Sequence, residues 1–486
     1  MNKKIFLINA GNDRKYGNVV HGASFPPLGV VSLATYIKKM APRWSVRILD
    51  GVVTDENEIS EELHREKPGV VGISVLSTSY QTALKLARIA KEFNAITIFG
   101  NDQAACTGRN MLAARREIDY ICTADAGEKP LVHFLEYLEG RRGIADVAKL
   151  MYRADDGTLR HNSHLPELDP GRFVLDQIPV PDRSLLSDSV RRVYQKNYAA
   201  THPNEDVTGT ATINRIRGCA RAKARCMYCG IADLTIRISS PEMFWDDVRN
   251  ARETGAGRLM EASDSFSCMP GYLEQLADAK PRNLDFRAFV YTSAKEVNRR
   301  LVEVYKRLGI FRANMGLDSG DKDILRRLKG SRDSVEQNKE SAMLLAEAGI
   351  RIYASFVIGG PGETRESLES TGRFIRWLID GNLADGVEVQ PLFPGLNTRA
   401  GSLLTSPALA ARYAELEGFK LGNIDLLHHM PEKWCGHENP DPEEVSRDWA
   451  AIFSEVPYDD LLRFSDALQG YSQERGVPAG SSWTAR

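Results

Sequence analysis

Short apolar runs alternate with amphipathic stretches of helical period over two long parts of this chain, a pattern that restricts it to parallel sheets flanked by helices. In the first 145 residues the pattern predicts strands at Lys4–Asn9, Val46–Leu49, Val70–Val75, Ala95–Phe99 and Tyr120–Thr123. Helices Pro27–Lys38, Glu58–Glu66 and Thr82–Phe93 fall between them, the first with proline in its first turn. In such folds the loops at the carboxyl ends of the strands form the ligand crevice. Here those loops are Gly11–Phe25, Asp50–Thr54, Ser77–Tyr80, Gly100–Gln103 and Ala124–Lys129. A second alternation starts at Ala211, with strands at Ala211–Arg215, Arg258–Ala262, Phe286–Val290, Arg312–Leu317, Tyr353–Ile358 and Gly386–Gln390. Six such units are too few for a closed eight-stranded barrel and suit an open, partial one.

The expected organisation is therefore a doubly wound, Rossmann-like α/β domain over 1–145, a linker over 146–207, a partial (β/α)6 barrel over 208–400 and a helical C-terminal cap over 401–486. Prolines at 166, 170, 179 and 181 break any sustained period in the linker. The cap carries helices at Ala408–Glu417, Pro442–Ser454 and Tyr458–Arg475 and ends in a Gly/Ser tail expected to be disordered.

Composition excludes several functional classes. Lys plus Arg total 63 against 65 Asp plus Glu, so a nucleic-acid coat and a polybasic membrane surface are both disfavoured. No run of 18 apolar residues occurs, and no membrane partner is expected. The opening MNKKIFLINAG superficially resembles a signal peptide, but its apolar stretch is short and broken by Asn9, so it reads as a first strand. Seven cysteines in 486 residues are too sparse for a secreted disulfide scaffold, which points to a reduced, cytoplasmic protein.

Three of those cysteines, Cys219, Cys226 and Cys229, fall within eleven residues, directly after the first strand of the second alternation. Three grouped thiolates can hold three irons of a [4Fe–4S] cluster and leave the fourth open. A zinc site lacking one ligand, or inert buried cysteines, are the alternatives. Zinc would need a further Cys or His nearby, and none lies between 229 and 267.

At these residues the chain resembles the radical S-adenosylmethionine (SAM) enzymes, in the branch with an N-terminal cobalamin (B12)-binding-type domain. The resemblance covers roughly residues 3–400. Its first marks are Pro26-Pro27-Leu28-Gly29, Val70-Val71-Gly72-Ile73-Ser74 and Gly127-Glu128. Arg217-Gly218-Cys219, Cys226-Met227-Tyr228-Cys229 and Ser240-Pro241-Glu242 follow. Met315-Gly316-Leu317-Asp318-Ser319-Gly320, Lys329-Gly330 and Gly359-Gly360-Pro361-Gly362-Glu363-Thr364 complete the set. Each is weak alone; order and spacing together are specific. One departure stands out: the family usually places three residues between its first two cysteines, and here there are six. Loop closure costs little more with length, so cluster ligation is still expected.

The resemblance implies that Cys219, Cys226 and Cys229 hold the [4Fe–4S] cluster and that SAM chelates the open iron. Reductive cleavage would then give a 5′-deoxyadenosyl radical that takes hydrogen from a small-molecule substrate. It further implies that the Tyr228 backbone lies near adenine, that Asp264 meets the methionine amino group, and that Asp318 and Ser319 approach the ribose. Ile358, Gly360 and Glu363 would run along the adenine, with Gln390 and Leu392 at the end of the sixth strand. An ordinary strand-to-helix turn is the alternative at Gly359–Gly362, and helix caps at Asp264 and Asp318. Asp318 and Glu388 are the candidate catalytic carboxylates. Cys268 is a candidate hydrogen-atom donor or additional cluster ligand, with a buried core cysteine as its alternative. Cys106 and Cys122 read as core, and His428, His429, Cys435 and His437 as solvated loop residues.

Cobalamin is a weaker expectation. The Asp-x-His-x-x-Gly corrinoid signature is absent after the first strand, and the fourth and fifth loops carry Asn101, Asp102 and Asp125, which would crowd and charge the crevice. A domain that keeps the fold without the corrinoid is the expected case. The carboxylates Glu261, Asp264, Asp318 and Glu388, with Asp385 nearby, suit a cationic, hydroxyl-rich ligand through charge-assisted hydrogen bonds. The leading expectation is thus radical dehydration, epimerisation or oxidation of an amino-sugar or aminoglycoside-like intermediate, as in antibiotic biosynthesis. A cobalamin-dependent C-methyltransferase is the alternative. Flavodoxin or ferredoxin, or a reductase partner, would supply the electron.

Overall fold

A computed structural model describes residues 2–16, 24–202, 205, 207–221, 224–231 and 235–477. The Gly/Ser tail lies outside the described residues, as does Gly17 of the first crevice loop. The chain forms two compact units. One comprises 1–216 and 237–260, the other 217–236 and 261–481.

In the first unit, β1 (Lys4–Asn9) buries both faces, which is why its sequence is an unbroken apolar run rather than an alternating one. Ile5 and Leu7 pack under helices Leu28–Met40 and Glu128–Leu138. Phe6 and Ile8 pack on the other face, under Glu56–Glu66, Tyr80–Glu92 and Asp102–Ala114. With β2 (Ser45–Asp50), β3 (Val70–Ser74), β4 (Ile96–Gly100) and β5 (Tyr120–Cys122) it forms a parallel sheet in the order β2-β1-β3-β4-β5. Two antiparallel strands then extend the sheet, β6 (Leu150–Arg153) and β7 (Leu159–His161). They come from the stretch read as linker, which also folds helix Asp188–Thr201. Elsewhere in this unit two buried arginines, Arg183 and Arg215, both pair with the Asp247 carboxylate at 2.8 Å.

The first unit also contains β8 (Thr210–Ile213), with the two-residue strands β9 (Ile216–Arg217) and β10 (Arg237–Ile238) following in the chain, and β8 neighbours β11 (Arg258–Glu261). Glu261, the last residue of β11, opens the second unit's main stretch. There β12 (Ala288–Thr292), β13 (Ile310–Asp318), β14 (Arg351–Ile358) and β15 (Gly386–Pro391) pair parallel in chain order. All six strands of the second alternation therefore form where the sequence places them. Helices Arg299–Leu308, Lys322–Lys329, Val335–Glu347 and Arg365–Asp380 intervene. Five C-terminal helices follow, among them Ile424–Trp434, Pro442–Phe453 and Tyr458–Glu474. The helices before Tyr458 share one apolar core with Met227, Leu328 and Leu392, built around Trp434 and Trp449.

Candidate active site

The cysteine loop starts at a glycine no other residue can replace without strain. Gly218 has φ 86°, and a Cβ there would stand 2.3 Å from the Thr235 carbonyl oxygen. Its amide donates to the Asp264 carboxylate at 2.8 Å, which fixes the residue before Cys219. Beyond Cys226, the Met227 amide donates to the Leu328 carbonyl (2.7 Å) and the Met227 carbonyl accepts from Ala400 (2.9 Å). The Asn397 amide group donates to the Gly230 carbonyl at 2.9 Å. The loop is therefore pinned on both flanks.

Beside it lies a buried charge cluster. β13 bulges between Gly316 and Asp318, and Asp318 takes φ 58°, a conformation rare for a residue with a side chain. The bulge turns its carboxylate, 1 % exposed, toward Tyr228 and Lys329. The Tyr228 hydroxyl donates to Oδ1 at 2.8 Å, and the Lys329 ammonium pairs with Oδ2 at 2.8 Å while also donating to the Gly316 carbonyl. Burial alone would lower the Lys329 pKa, but Asp318 and then Cys226 outweigh it and hold it above the ordinary lysine value. Burial pushes the Cys226 thiol up to about 11 and raises Cys229 as well. Cys268 is pushed up to about 12, chiefly by burial and next by Cys219, and accepts from the Ala220 amide. Cys226, Cys229, Cys219 and Cys268 thus form a series in which each thiol feels the next. Among the described residues no three His, Cys, Asp or Glu side chains converge on a single metal ion; thiolates on separate irons of a cube stand further apart than ligands of one ion.

The remaining carboxylates do not share one cavity as expected. Glu261 is fully buried and accepts from the Ser263 amide at 3.1 Å and from its hydroxyl. Asp264 is engaged by Gly218 and Asp318 by Lys329. Asp385 precedes β15, at the opposite end of the sheet, and pairs with Arg312 at 2.7 Å. Glu388 is half-buried on the face opposite the core residues Val387 and Val389, and accepts from Gln390 at 2.5 Å. On neighbouring strands Tyr291, Asn314 and Tyr353 lie in direct register, and Glu388 helps burial raise both phenols.

Several residues expected along the cofactor are engaged by the protein's own groups. The Ser319 hydroxyl bonds Thr371 (3.1 Å) and accepts from the Asp321 amide, and it is Asp321, not Asp318, that caps helix Lys322–Lys329. Ile358 and Leu392 are buried, and a Cβ on Gly360 would meet Ile324 and Leu328. The turn after β14 is clamped by the C-terminal helices. Trp449 donates to the Gly359 carbonyl (2.8 Å), and the Gly362 amide donates to the Phe453 carbonyl (2.7 Å). Glu363 folds back into this turn, accepting from the Gly359 amide and Ser367. His428 and His429 are exposed, though on a helix rather than a loop, and Cys435 and His437 are exposed too. Arg221, Lys329 and Asp333 were not anticipated from sequence. Their only signal was the Lys329-Gly330 motif.

Glu363 gives a pH prediction. Burial raises its carboxyl from the ordinary 4.5 to about 7. A raised carboxyl stabilises the fold fully below the unfolded value and loses that contribution as pH climbs to the folded value. Stability is expected to fall by about 3 kcal/mol between pH 4.5 and 7 through this group. Chemical denaturation across that range checks it: Glu363→Gln should flatten this part of the profile.

The chain matches the B12 binding domain over residues 16–135 and the Radical SAM superfamily over residues 213–375. It carries a radical SAM domain preceded by a B12-binding domain. This radical SAM protein is 23 % identical over 384 residues to an uncharacterized methyltransferase of Pyrococcus horikoshii, covering 77 % of the chain and 78 % of the relative. It is 24 % identical over 373 residues to the anaerobic magnesium-protoporphyrin IX monomethyl ester cyclase of Rubrivivax gelatinosus, spanning 63 % of that enzyme. Its fold is shared by solved structures, of which two serve as examples. The radical SAM methyltransferase TsrM from Kitasatospora setae, with cobalamin and a [4Fe–4S] cluster bound, superposes with a TM-score of 0.66 at 17 % identity, over 83 % of this chain and 78 % of that one. The cobalamin-dependent radical SAM enzyme OxsB, with aqua-cobalamin bound, gives 0.69 at 16 % identity, over 97 % and 67 %.

Both implied groups fit the residues present. Three soft thiolate donors beside the buried Lys329 and Arg221 cations suit an iron–sulfur cluster that carries negative charge. In the B12-type unit, the expected crowding of the crevice is relieved. The Asn101 side chain turns back onto Ser74 (3.0 Å) and caps the Asp102 amide, and Arg237 pairs with both Asp125 and Glu167. A Cβ on Gly100 would meet nothing closer than 3.9 Å, so there is room beside this residue at the carboxyl end of β4. Among the described residues no helix is long and apolar enough to cross a membrane.

Proposed function

We propose that this radical SAM protein is a cobalamin-dependent methyltransferase acting on a small polar substrate. The observation that carries the reading is the presence, in one chain, of the pinned Cys219–Cys226–Cys229 loop and a B12-type sheet with room beside Gly100 at the carboxyl end of β4. The relatives' names favour methyl transfer over the radical dehydration, epimerisation or oxidation ranked first from the sequence. Bound at these sites, a [4Fe–4S] cluster with SAM would supply radical chemistry and a corrinoid would supply the methyl group.

The chain's own residues bind and orient. Cys219, Cys226 and Cys229 are the proposed cluster ligands. Asp264 holds the backbone at the first of them, while Tyr228, tethered to Asp318, holds it at the last. Loops after β1, β3, β4 and β5 are the proposed corrinoid contacts. Met227 and Leu392, buried in the C-terminal core, keep water from the back of the cysteine loop. Glu388 and Gln390, above the Tyr291–Asn314–Tyr353 layer, would receive a substrate rich in ammonium or hydroxyl donors, which supports the amino-sugar class. Flavodoxin or ferredoxin is the proposed reductant.

The test is protein purified anaerobically from cobalamin-fed cells, reduced, and given SAM with a deuterated methyl group and amino sugars. One corrinoid per chain by absorbance and labelled methyl product by mass spectrometry are expected. 5′-Deoxyadenosine formed by protein that retains no corrinoid would overturn the methyltransferase reading.

A further inference from the structure

The lengthened cysteine loop is held by an ion pair that no signature residue supplies. Arg221 stands two residues after Cys219, inside the stretch that is longer than the family usually has. One guanidinium nitrogen contacts both oxygens of Asp333, at 2.5 and 2.6 Å, and another donates to the Lys329 carbonyl at 2.9 Å. Both partners are buried, the Arg221 side chain 11 % exposed and Asp333 3 %. A guanidinium stays charged at any working pH, so the contact is an ion pair.

We propose that Arg221 and Asp333 form a clasp that positions Cys219, so that the longer loop presents its first thiol as firmly as a short one would. The segment Leu328–Asp333 grips the loop at two points. Arg221 ties it two residues beyond Cys219, and the Met227 amide ties it one residue beyond Cys226, on Leu328. The same segment carries Lys329, which holds Asp318 and through it Tyr228. The three cysteines are thereby referred to one rigid element, the end of helix Lys322–Lys329. Extra loop residues cost conformational entropy to order, and a buried arginine is costly unless paired. The pair is satisfied only when the loop is seated, so it opposes the slack that the added residues bring. Arg221 is a positioning residue: it acts through Cys219 and touches no reacting atom.

This inference rests on the reading that the three cysteines hold the cluster, and the experiment separates the two. Wild type, Arg221→Met, Asp333→Asn and the exchanged pair Arg221→Asp with Asp333→Arg are reconstituted anaerobically with iron and sulfide. Iron per chain, the rate of iron loss to a ferrous chelator, and the melting temperature of the iron-free protein are measured on each. The single variants are expected to lose iron roughly tenfold faster than wild type, equivalent to about 1.4 kcal/mol. Their iron-free melting temperatures should move little, and the exchanged pair should recover part of the retention. Folded single variants that retain iron as long as wild type would overturn the clasp. So would an exchanged pair no better than either single variant, which decides the matter even if a single variant folds poorly. Wild type that takes up no iron would instead overturn the cluster reading, and the clasp with it.

Discussion

Replacing Cys219, Cys226 and Cys229 together by alanine is expected to abolish iron binding and all SAM cleavage while the fold survives. The thiols lie on a loop whose anchors are independent of them: Gly218 on Asp264, Met227 on Leu328, and Tyr228 on Asp318. The buried core beneath uses Met227 and Leu392, not the cysteines. Relieving three desolvated thiols of a small side-chain volume is a minor change to a loop, well inside the range that surface-proximal substitutions cost. Iron analysis, reductive cleavage of SAM and circular dichroism on the same sample check it. Retained stoichiometric iron with cleavage would remove the basis for assigning these ligands.

The second large effect is expected at Asp318, where removing the charge leaves the Lys329 ammonium buried without its counter-ion. Breaking such a pair by removing one partner costs about 3–5 kcal/mol, a large part of the total of about 5–15 kcal/mol that stabilises a typical domain. Asparagine tolerates the positive φ and still accepts from the Tyr228 hydroxyl, so Asp318→Asn isolates the charge. A marked fall in melting temperature is expected, together with turnover down roughly tenfold to a hundredfold, as the unpaired Lys329 ammonium disturbs the packing beside Cys226. The double variant with Lys329→Met should recover much of the stability, because no unpaired charge remains. An Asp318→Asn protein as stable and active as wild type would contradict this account of the bulge. Helix capping does not compete as an explanation, since Asp321 supplies the cap.

What the sequence made legible follows from burial. β1 was placed to the residue because both of its faces are apolar. The β6–β7 hairpin was missed because β7 is a polar, exposed edge with only three residues to show alternation. Helix Ile424–Trp434 was missed because it carries Pro431 and two exposed histidines, each a signal for loop. In the site, the cysteines were legible from local spacing. The Arg221–Asp333 pair was not, because its partners are 112 residues apart and nothing local marks them. The β13 bulge was likewise invisible: nothing local in Arg312–Leu317 marks the register shift that turns Asp318 toward Lys329. Asp264 and Glu363, expected at the SAM amino group and along the adenine, each accept from a backbone amide that sequence does not reveal.

The most direct test of the central claim is electron paramagnetic resonance on the anaerobically reconstituted, reduced wild-type protein, recorded without and with SAM. A cluster held by Cys219, Cys226 and Cys229 with one open iron should give a reduced [4Fe–4S] spectrum that changes when SAM is added. A protein with no cluster signal, or with a signal that SAM leaves unaltered, would contradict it.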